Sequence, residues 1–206
     1  MLRSAQGLAF VATLILALSG PFTGPARAAD SVQDMLADKV LGKADAPVTI
    51  IEYASLGCPH CREFHEKTLP QIKEKYIDTG KVKMIFRDFP LGQRATAAAM
   101  ITRCAGPIRY FAMVSILFRD QADWSRAPDG LAALQASAKK GGMAPTQVEE
   151  CLRNEDLLQG IQKIAQDGNK EHGVDATPFF IVGGEKVSGA QDFKVFEDII
   201  EQKLKK

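Results

Sequence analysis

The sequence has no strong excess of charge of either sign. Its 206 residues include 26 lysines and arginines against 25 aspartates and glutamates, a formal net charge of +1 at pH 7. A protein that binds nucleic acid or an anionic membrane through a basic face usually carries a clear positive excess. The composition therefore supports neither class of partner. The chain also lacks internal repeats and low-complexity tracts, and its length suits one domain or a domain with an insertion.

The chain also lacks an apolar run long enough for a comfortable transmembrane helix. Residues 8–18 are almost wholly apolar, follow the basic Arg3 and precede a small-x-small sequence that ends at Ala28. This order is typical of a secretory signal peptide, and an uncleaved anchor is the alternative. No cysteine follows the run closely, so a lipoprotein is not favoured. We therefore expect residues 1–28 to be a signal peptide and the mature protein to be periplasmic, where disulfides persist.

Cysteine and histidine are scarce, with four cysteines and three histidines in the whole chain. Cys58 and Cys61 form a Cys-x-x-Cys pair, while Cys104 and Cys151 do not form a second one. A zinc site would need two further ligands. A purely structural disulfide is also disfavoured, because so short a loop removes little entropy from the unfolded chain. The favoured interpretation is a redox-active cysteine pair.

The residues of this pair suit redox chemistry at the start of a helix. Cys58 precedes the first turn, where free backbone N–H groups and the helix dipole lower the pKa of a thiol. Pro59 fits the first turn because its missing N–H would have had no partner there. The His60 imidazole can stabilise the Cys58 thiolate, which makes the disulfide a strong oxidant. Cys61, one turn further in, suits a resolving thiol.

Glu52 is the exception in an otherwise apolar strand. Residues 48–54 are nearly continuous in apolar side chains, as expected of a strand covered on both faces. A carboxylate buried there is costly unless it is paired or protonated. In the functional interpretation, Glu52 accepts a proton beneath the cysteines and assists deprotonation of Cys61. The alternative is an edge position from which Glu52 reaches solvent.

The order of predicted elements gives an α/β fold interrupted by helices. Residues 31–40 predict a lead-in helix, and the helix after the cysteines should bend at Pro70. A second strand at residues 82–86 should lie parallel to the first. Residues 92–171 contain only helical patterns separated by Pro and Gly. Strand patterns return on both sides of a Gly-Gly turn, and a final helix begins at about Asp192.

The helical region contains the other two cysteines and most of the large aromatic residues. In an exported protein, Cys104 and Cys151 are predicted to pair as a structural disulfide, and two buried free thiols are the alternative. The aromatic residues are predicted to be core, with a substrate-facing surface as the alternative. They are Tyr110, Phe111, Phe118 and Trp124.

Three features together resemble the DsbA family of periplasmic thiol:disulfide oxidoreductases. They are the Cys-Pro-His-Cys motif after an apolar strand, the helical insertion and the Ala-Thr-Pro-Phe-Phe sequence at residues 176–180. The resemblance runs from about residue 40 to the end of the chain. It implies an α/β, thioredoxin-like fold with an inserted all-helical subdomain. The thioredoxin-like domain would comprise residues 29–91 and 172–206, and the insertion residues 92–171.

The resemblance also implies roles for individual residues. Cys58 matches the exposed nucleophile that holds the mixed disulfide with substrate, and Cys61 matches the buried resolving cysteine. His60 matches the residue that stabilises the thiolate. Thr177 and Pro178 match a loop in which the proline is cis and faces the cysteines, so that the backbone of Thr177 can pair with an extended substrate.

Glu52 matches a buried acid of the family, with one departure. A lysine that often accompanies this acid is not evident, because Phe86 occupies its place, and whether Arg87 substitutes is open. The resemblance further implies no metal or organic cofactor and reoxidation by a quinone-linked membrane oxidase.

We therefore expect an enzyme that introduces disulfide bonds into reduced, exported proteins. A disulfide isomerase or reductase would use the same cysteines, but would usually need a dimerisation region or a reducing supply. The segment between Ala28 and Val40 is too short for such a region, which favours a monomer. Outside the redox enzymes, the alternative is a binding or chaperone module that uses the helical surface, with the cysteine pair as a structural disulfide. Replacing Cys58 by serine separates these functions.

Overall fold

The computed structural model describes residues 31–205, which form a mixed β-sheet surrounded by helices. The sheet has five strands in the order β1-β3-β2-β4-β5. The parallel pairing of β2 with β3 was predicted, and the other neighbouring strands pair antiparallel. The strands are β1 (Lys39–Leu41), β2 (Val48–Ala54), β3 (Val82–Asp88), β4 (Phe179–Val182) and β5 (Glu185–Ser188). The predicted signal peptide lies outside the described residues.

Helices precede the sheet, connect its strands and end the chain. In chain order they are α1 (Val32–Leu36), α2 (Pro59–Glu63), α3 (Leu69–Ile72), α4 (Gln93–Cys104), α5 (Tyr110–Arg119), α6 (Gln121–Arg126), α7 (Gly130–Lys140), α8 (Pro145–Leu152), α9 (Glu155–His172) and α10 (Phe193–Leu204). Among residues 31–205, no helix combines the length and apolar character needed to cross a bilayer.

The central strand β2 is covered on both faces, as its apolar sequence predicted. Ile50 belongs to the largest hydrophobic cluster, which includes side chains from the helices after β2 and from α5 and α10. On the opposite face, Tyr53 packs with Phe179 and Ile181. Helix α9 approaches this face so closely that a Cβ at Gly168 would lie 2.4 Å from the Tyr53 ring. The strand that leads to the cysteines is therefore held rigidly between two layers.

The helical stretch after the cysteines contains two π-helical turns. Phe64–Thr68 and Lys73–Ile77 are π-helical and lie on either side of α3. Pro70 lies in the first turn of α3 and has no N–H to donate, so the α-helical hydrogen bonds cannot run unbroken through it. Where the sequence predicted a bend, the structure has widened turns, which are frequent at functional sites.

The lead-in helix is shorter than predicted. Ser31 caps α1 in a reciprocal hydrogen-bonded arrangement with Asp34, but the helix ends at Leu36 because Ala37 adopts an extended conformation. Val40 pairs with Ile85 in the sheet instead of continuing the helix. The prediction of helix up to residue 40 was wrong, since strand pairing with β3 outweighed the local helical pattern.

Six helices, α4 to α9, lie between β3 and β4 in the chain. The predicted disulfide between Cys104 of α4 and Cys151 of α8 is confirmed, with a Cα–Cα distance of 6.1 Å. A buried ion pair joins α4 to the end of β3, because Arg103 Nε donates to Asp88 Oδ2 at 2.6 Å. Trp124, also predicted as core, is fully buried. The exact subdomain boundaries stay a prediction.

The chain ends with the predicted hairpin and helix. Gly183 and Gly184 both have positive φ, at 53° and 88°, as a two-residue hairpin turn with the twist of the sheet requires. Asp192 is the N-cap of α10, which agrees with the predicted start. The first strand of this hairpin, β4, pairs with β2, which carries Glu52.

Candidate active site

Cys58 is the N-cap of α2 and lies four residues after the end of β2. Only 8% of its surface is exposed, so the expectation of an exposed nucleophile was wrong. Pro59 follows Cys58 in the first turn, as the sequence predicted. The pKa of the Cys58 thiol is lowered to about 5, chiefly by a hydrogen bond from Cys61 and further by the Thr177 hydroxyl and the N–H groups of Cys61 and His60. Burial opposes this shift. Near neutral pH Cys58 is therefore a thiolate.

Cys61 has the opposite electrostatics although it lies only one turn away. Its side chain is fully buried. Burial is the largest cause that raises the pKa of its thiol, followed by the hydrogen bond to Cys58 and the negative charge of Glu52. Cys58 and Cys61 are not bonded to each other in this structure, which is the arrangement of the dithiol form. The low-pKa sulfur is a good leaving group and the other sulfur retains its proton.

The loop before β4 faces the cysteines. The Thr177–Pro178 peptide bond is cis. The Cys58 thiol donates to the carbonyl oxygen of Thr177 across 3.3 Å. Thr177 Oγ1 is buried and has no other hydrogen-bond partner among residues 31–205, so its hydroxyl is available to the Cys58 thiolate. Thr177 can therefore accept a hydrogen bond from the Cys58 thiol through its carbonyl oxygen and donate one to the Cys58 thiolate through its hydroxyl.

The His60 side chain does not make the contact with Cys58 that the sequence analysis expected. Its imidazole is 73% exposed, and its nearest charged partner is Glu63, at 3.8 Å from Nδ1. The backbone N–H of His60 is what helps to lower the pKa of Cys58. In this dithiol form, the position between the cysteines acts on the sulfur through the backbone.

Glu52 lies on β2 and is completely buried. Since β2 is a central strand, the alternative of an edge position open to solvent is wrong. Oε2 lies 2.8 Å from Nε2 of His65, whose side chain is only 7% exposed. Phe86 lies beside Glu52 on β3, as expected from the missing lysine. The partner of the acid is thus a histidine on the π-helical turn that follows α2.

Arg87 does not take the place of the missing lysine. Its Nη1 donates to the hydroxyl of Tyr53 at 2.9 Å, and the guanidinium pairs with Asp38. Because neighbouring residues of a strand point to opposite faces, Arg87 lies across the sheet from Glu52. His65, and not Arg87, is therefore the residue that pairs with Glu52. The spacing of four residues from Cys61 could have revealed this histidine, because it places both residues on one helical face.

Comparisons with known proteins agree with this arrangement. The sequence model of the family described as Thioredoxin matches residues 35–202. The solved structure of Wolbachia pipientis alpha-DsbA1 is 32% identical, has a TM-score of 0.76, and the match covers 82% of this chain and 91% of that chain. This chain belongs to the DsbA family, within the thioredoxin-like proteins.

Two curated relatives show how far this DsbA-family similarity extends. Disulfide bond formation protein D of Bacillus subtilis is 30% identical over 173 residues, which cover 81% of this chain and 77% of that protein. A relative from Rickettsia bellii is 30% identical over 148 residues, which cover 71% of this chain. The chain spans little more than half, 57%, of the length of the Rickettsia protein.

Two polar residues of this DsbA-family site were missed by the sequence analysis. Gln121 of α6 is buried, and its Nε2 donates to the carbonyl oxygens of Leu56 at 2.7 Å and Cys58 at 2.9 Å. Ser55 Oγ accepts from the N–H groups of Gly57 at 3.2 Å and of Leu91 at 3.1 Å. Both residues hold the loop before α2. No local pattern marks Gln121, which is 63 residues from Cys58 in the chain.

No metal centre accompanies the cysteine pair within residues 31–205. The structure brings no group of three or more histidine, cysteine, aspartate or glutamate side chains together as potential ligands there. Cys104 and Cys151, the only other cysteines, are bonded to each other. The two ligands that a zinc site would need besides Cys58 and Cys61 are therefore not supplied by cysteine.

Proposed function

We propose that this protein introduces disulfide bonds into exported proteins by thiol–disulfide exchange. The observation that carries the proposal is the opposite perturbation of the two cysteines, with the pKa of Cys58 lowered to about 5 and that of Cys61 raised. A thiolate stabilised in the reduced form makes the corresponding disulfide a strong oxidant. The resemblance to DsbA-family proteins supports the same direction of electron flow.

The proposed reaction begins with the Cys58–Cys61 disulfide. A substrate thiolate attacks Sγ of Cys58, a bond forms between these two sulfurs, and the bond between Cys58 and Cys61 breaks. Cys61 leaves as a thiolate and takes up a proton. A second substrate thiolate then attacks the substrate sulfur of the mixed disulfide and releases Cys58 as a thiolate. The substrate loses two electrons and the enzyme gains them.

In this proposal the site residues have four different roles. Cys58 and Cys61 exchange bonds, and Pro59 and His60 shape the first turn whose N–H groups face Cys58. Thr177 and Pro178 form the loop against which an extended substrate would pair, and Glu52 exchanges a proton with Cys61.

A quinone-linked membrane oxidase would restore the disulfide. The predicted signal peptide would direct the protein to the periplasm, where it would act as a monomer without a metal or organic cofactor.

The test uses the oxidised protein and a reduced dithiol peptide. We expect stoichiometric formation of the peptide disulfide, measured by mass spectrometry after acid quenching. The Cys58→Ser variant should be inactive. The double variant Cys104→Ala, Cys151→Ala is the matched control and should oxidise the peptide at the rate of the unchanged protein.

Three results would contradict the proposal. If the peptide stays reduced with the unchanged protein, the oxidant function fails. If the Cys58→Ser variant retains suppression of aggregation of an unfolded protein while the unchanged protein oxidises nothing, a binding or chaperone module replaces the proposal. Reduction of a peptide disulfide by the dithiol protein, with no oxidation in the forward direction, would indicate a reductase.

A further inference from the structure

Within residues 31–205, the buried acid beneath the cysteines has only one hydrogen-bond partner. Oε2 of Glu52 lies 2.8 Å from Nε2 of His65. Oε1 is buried and has no hydrogen-bond partner among residues 31–205. An incompletely paired carboxyl group in an apolar core is costly, and such groups in native structures call for an explanation. Cys61 lies four residues before His65 and therefore on the same helical face, which His65 turns toward Glu52. A negative charge on Glu52 raises the pKa of the Cys61 thiol, in agreement with this placement.

His65 connects this acid to a groove on the surface. Its ring packs against Phe118, with 4.4 Å between ring centroids, and against Phe86 at 5.7 Å. The same residue lines a groove of about 340 Å³ between the edge strand β1, the helical stretch after the cysteines and α5. Nδ1 of His65 has no hydrogen-bond partner among the described residues, and this nitrogen is not fully buried. The ring therefore joins a buried carboxyl group to a place that solvent can reach.

The lining of the groove includes neither Cys58 nor Thr177. Besides His65, its lining includes Leu41, Leu69, Phe111 and Ser115. At about 1.5 Å per residue, the seven residues from Cys58 to His65 correspond to about 10 Å along the helix. A substrate bound in a mixed disulfide with Cys58 would cover the start of the helix, next to Thr177. It would leave the groove open.

We propose that His65 is a positioning residue that carries protons between this groove and Glu52, so that Cys61 can gain or lose a proton while substrate covers Cys58. The inference rests on the proposed thiol–disulfide exchange and adds a route for its proton. His65 does not touch the reacting sulfurs in this scheme. It acts on Cys61 through Glu52.

The proton balance follows the direction of the reaction. When Cys61 leaves Cys58 as a thiolate, the Glu52 carboxyl group gives it a proton. Nε2–H of His65 then returns a proton to Glu52, and Nδ1 takes one from solvent in the groove. During reoxidation the order is reversed: Nδ1 of His65 gives a proton to solvent in the groove, and Nε2 takes the proton of Glu52. The Glu52 carboxylate then takes the proton of Cys61, and the electron pair of Cys61 forms the bond to Cys58. The bond between Cys58 and the partner sulfur breaks, and that sulfur leaves as a thiolate.

The experiment isolates the step in which Cys61 reacts. The dithiol protein is mixed in a stopped-flow instrument with an aromatic disulfide that releases a coloured thiolate. Attack by Cys58 gives a first phase that depends on reagent concentration. Intramolecular attack by Cys61 on the mixed disulfide gives a second phase that does not. Cys104 and Cys151 are bonded to each other and do not contribute.

Two variants test the role of His65. In His65→Gln the amide can still donate to Glu52, but it cannot relay a proton. We expect the rate of the first phase to be unchanged and that of the second phase to fall at least about tenfold. A positioned proton-transfer group typically contributes about 10²–10⁴-fold to a rate. In His65→Ala the second phase should be slow, and imidazole added to the buffer should accelerate it by entering the vacated space beside the groove. A purely structural role predicts no such rescue.

His172→Gln is the matched control, because His172 lies on α9 near Tyr53 and away from the cysteines. Both of its phases should equal those of the unchanged protein. The proposal is overturned if His65→Gln leaves the second phase at its original rate. It is also overturned if imidazole has no effect on the slowed His65→Ala variant. Should His65→Ala fail to fold, as judged by circular dichroism, the glutamine variant decides.

This result is independent of the oxidant assignment. The second phase requires only the Cys58–Cys61 pair, so it can be measured whichever way electrons flow in the cell. A protein that fails to oxidise a dithiol peptide but shows the expected loss in His65→Gln would lose the proposed function and keep the proton route. The converse result would keep the function and remove the route.

Discussion

The Thr177→Val variant should raise the pKa of Cys58. Valine has nearly the shape of threonine but lacks the hydroxyl that helps to stabilise the Cys58 thiolate. A hydrogen bond to a charged group contributes about 1.5–3 kcal/mol, which corresponds to about one to two pKa units. We therefore expect the pKa of Cys58 to rise from about 5 in the unchanged protein. The variant value should lie between about 6 and 7.

The assay is the ultraviolet absorbance of the thiolate as a function of pH. Cys61 does not interfere, because the pKa of its thiol is raised. A rise of one unit should also make the reduction potential of the pair about 30 mV more negative at pH 7, since the reduced form loses about 1.4 kcal/mol of stabilisation. Thr177→Ser retains the hydroxyl and should titrate like the unchanged protein. A Thr177→Val pKa that stays at about 5 would refute the assigned role of the hydroxyl.

Three further predictions concern pH, the loop before α2 and the second cysteine pair. The contribution of the Cys58 thiolate to the dithiol state is fully present above the ordinary thiol pKa of about 8.5 and is lost as the pH falls through about 5. The equilibrium with glutathione should therefore move toward the dithiol by about tenfold for each unit by which the pH rises between these limits, and a flat profile would contradict the lowered pKa. Gln121→Leu leaves the carbonyl oxygen of Leu56 without a donor among residues 31–205, while that of Cys58 still accepts from the Arg62 N–H. The variant should lower the free energy of unfolding by about 1–3 kcal/mol in urea titrations; no loss would mean that other donors replace Gln121. Removing the Cys104–Cys151 disulfide with alanines should cost about 2–5 kcal/mol of stability and leave the Cys58 titration unchanged; a shifted titration would show that the disulfide tunes the site.

Much of the fold was predictable because its signals are local. The apolar run of β2, the Gly-Gly turn and the cysteine motif at a helix start each depend on a few neighbouring residues. The helix at residues 31–40 was overestimated because β1 exists only through its pairing with β3, which is distant in sequence. Local propensity could not report that contact.

The site was predictable in its sulfur chemistry and only partly in its supports. Glu52 stood out because a charged residue in an apolar strand is rare. His65 carries a local signal, its spacing from Cys61, but its hydrogen bond to Glu52 depends on how the helix lies against the sheet. Gln121 has no such signal, because it reaches Cys58 from the helical insertion. For His60 the opposite holds: its position between the cysteines suggested contact with Cys58, but its imidazole is exposed.

The most direct test of the central claim is the redox equilibrium of the Cys58–Cys61 pair against glutathione buffers at pH 7. The fractions of dithiol and disulfide can be measured by alkylation and mass spectrometry on the protein with Cys104 and Cys151 still bonded. The stabilised Cys58 thiolate predicts a reduction potential above about −150 mV, in the range of strong oxidants. A value near about −270 mV, typical of thioredoxin, would contradict the account and indicate a reductase.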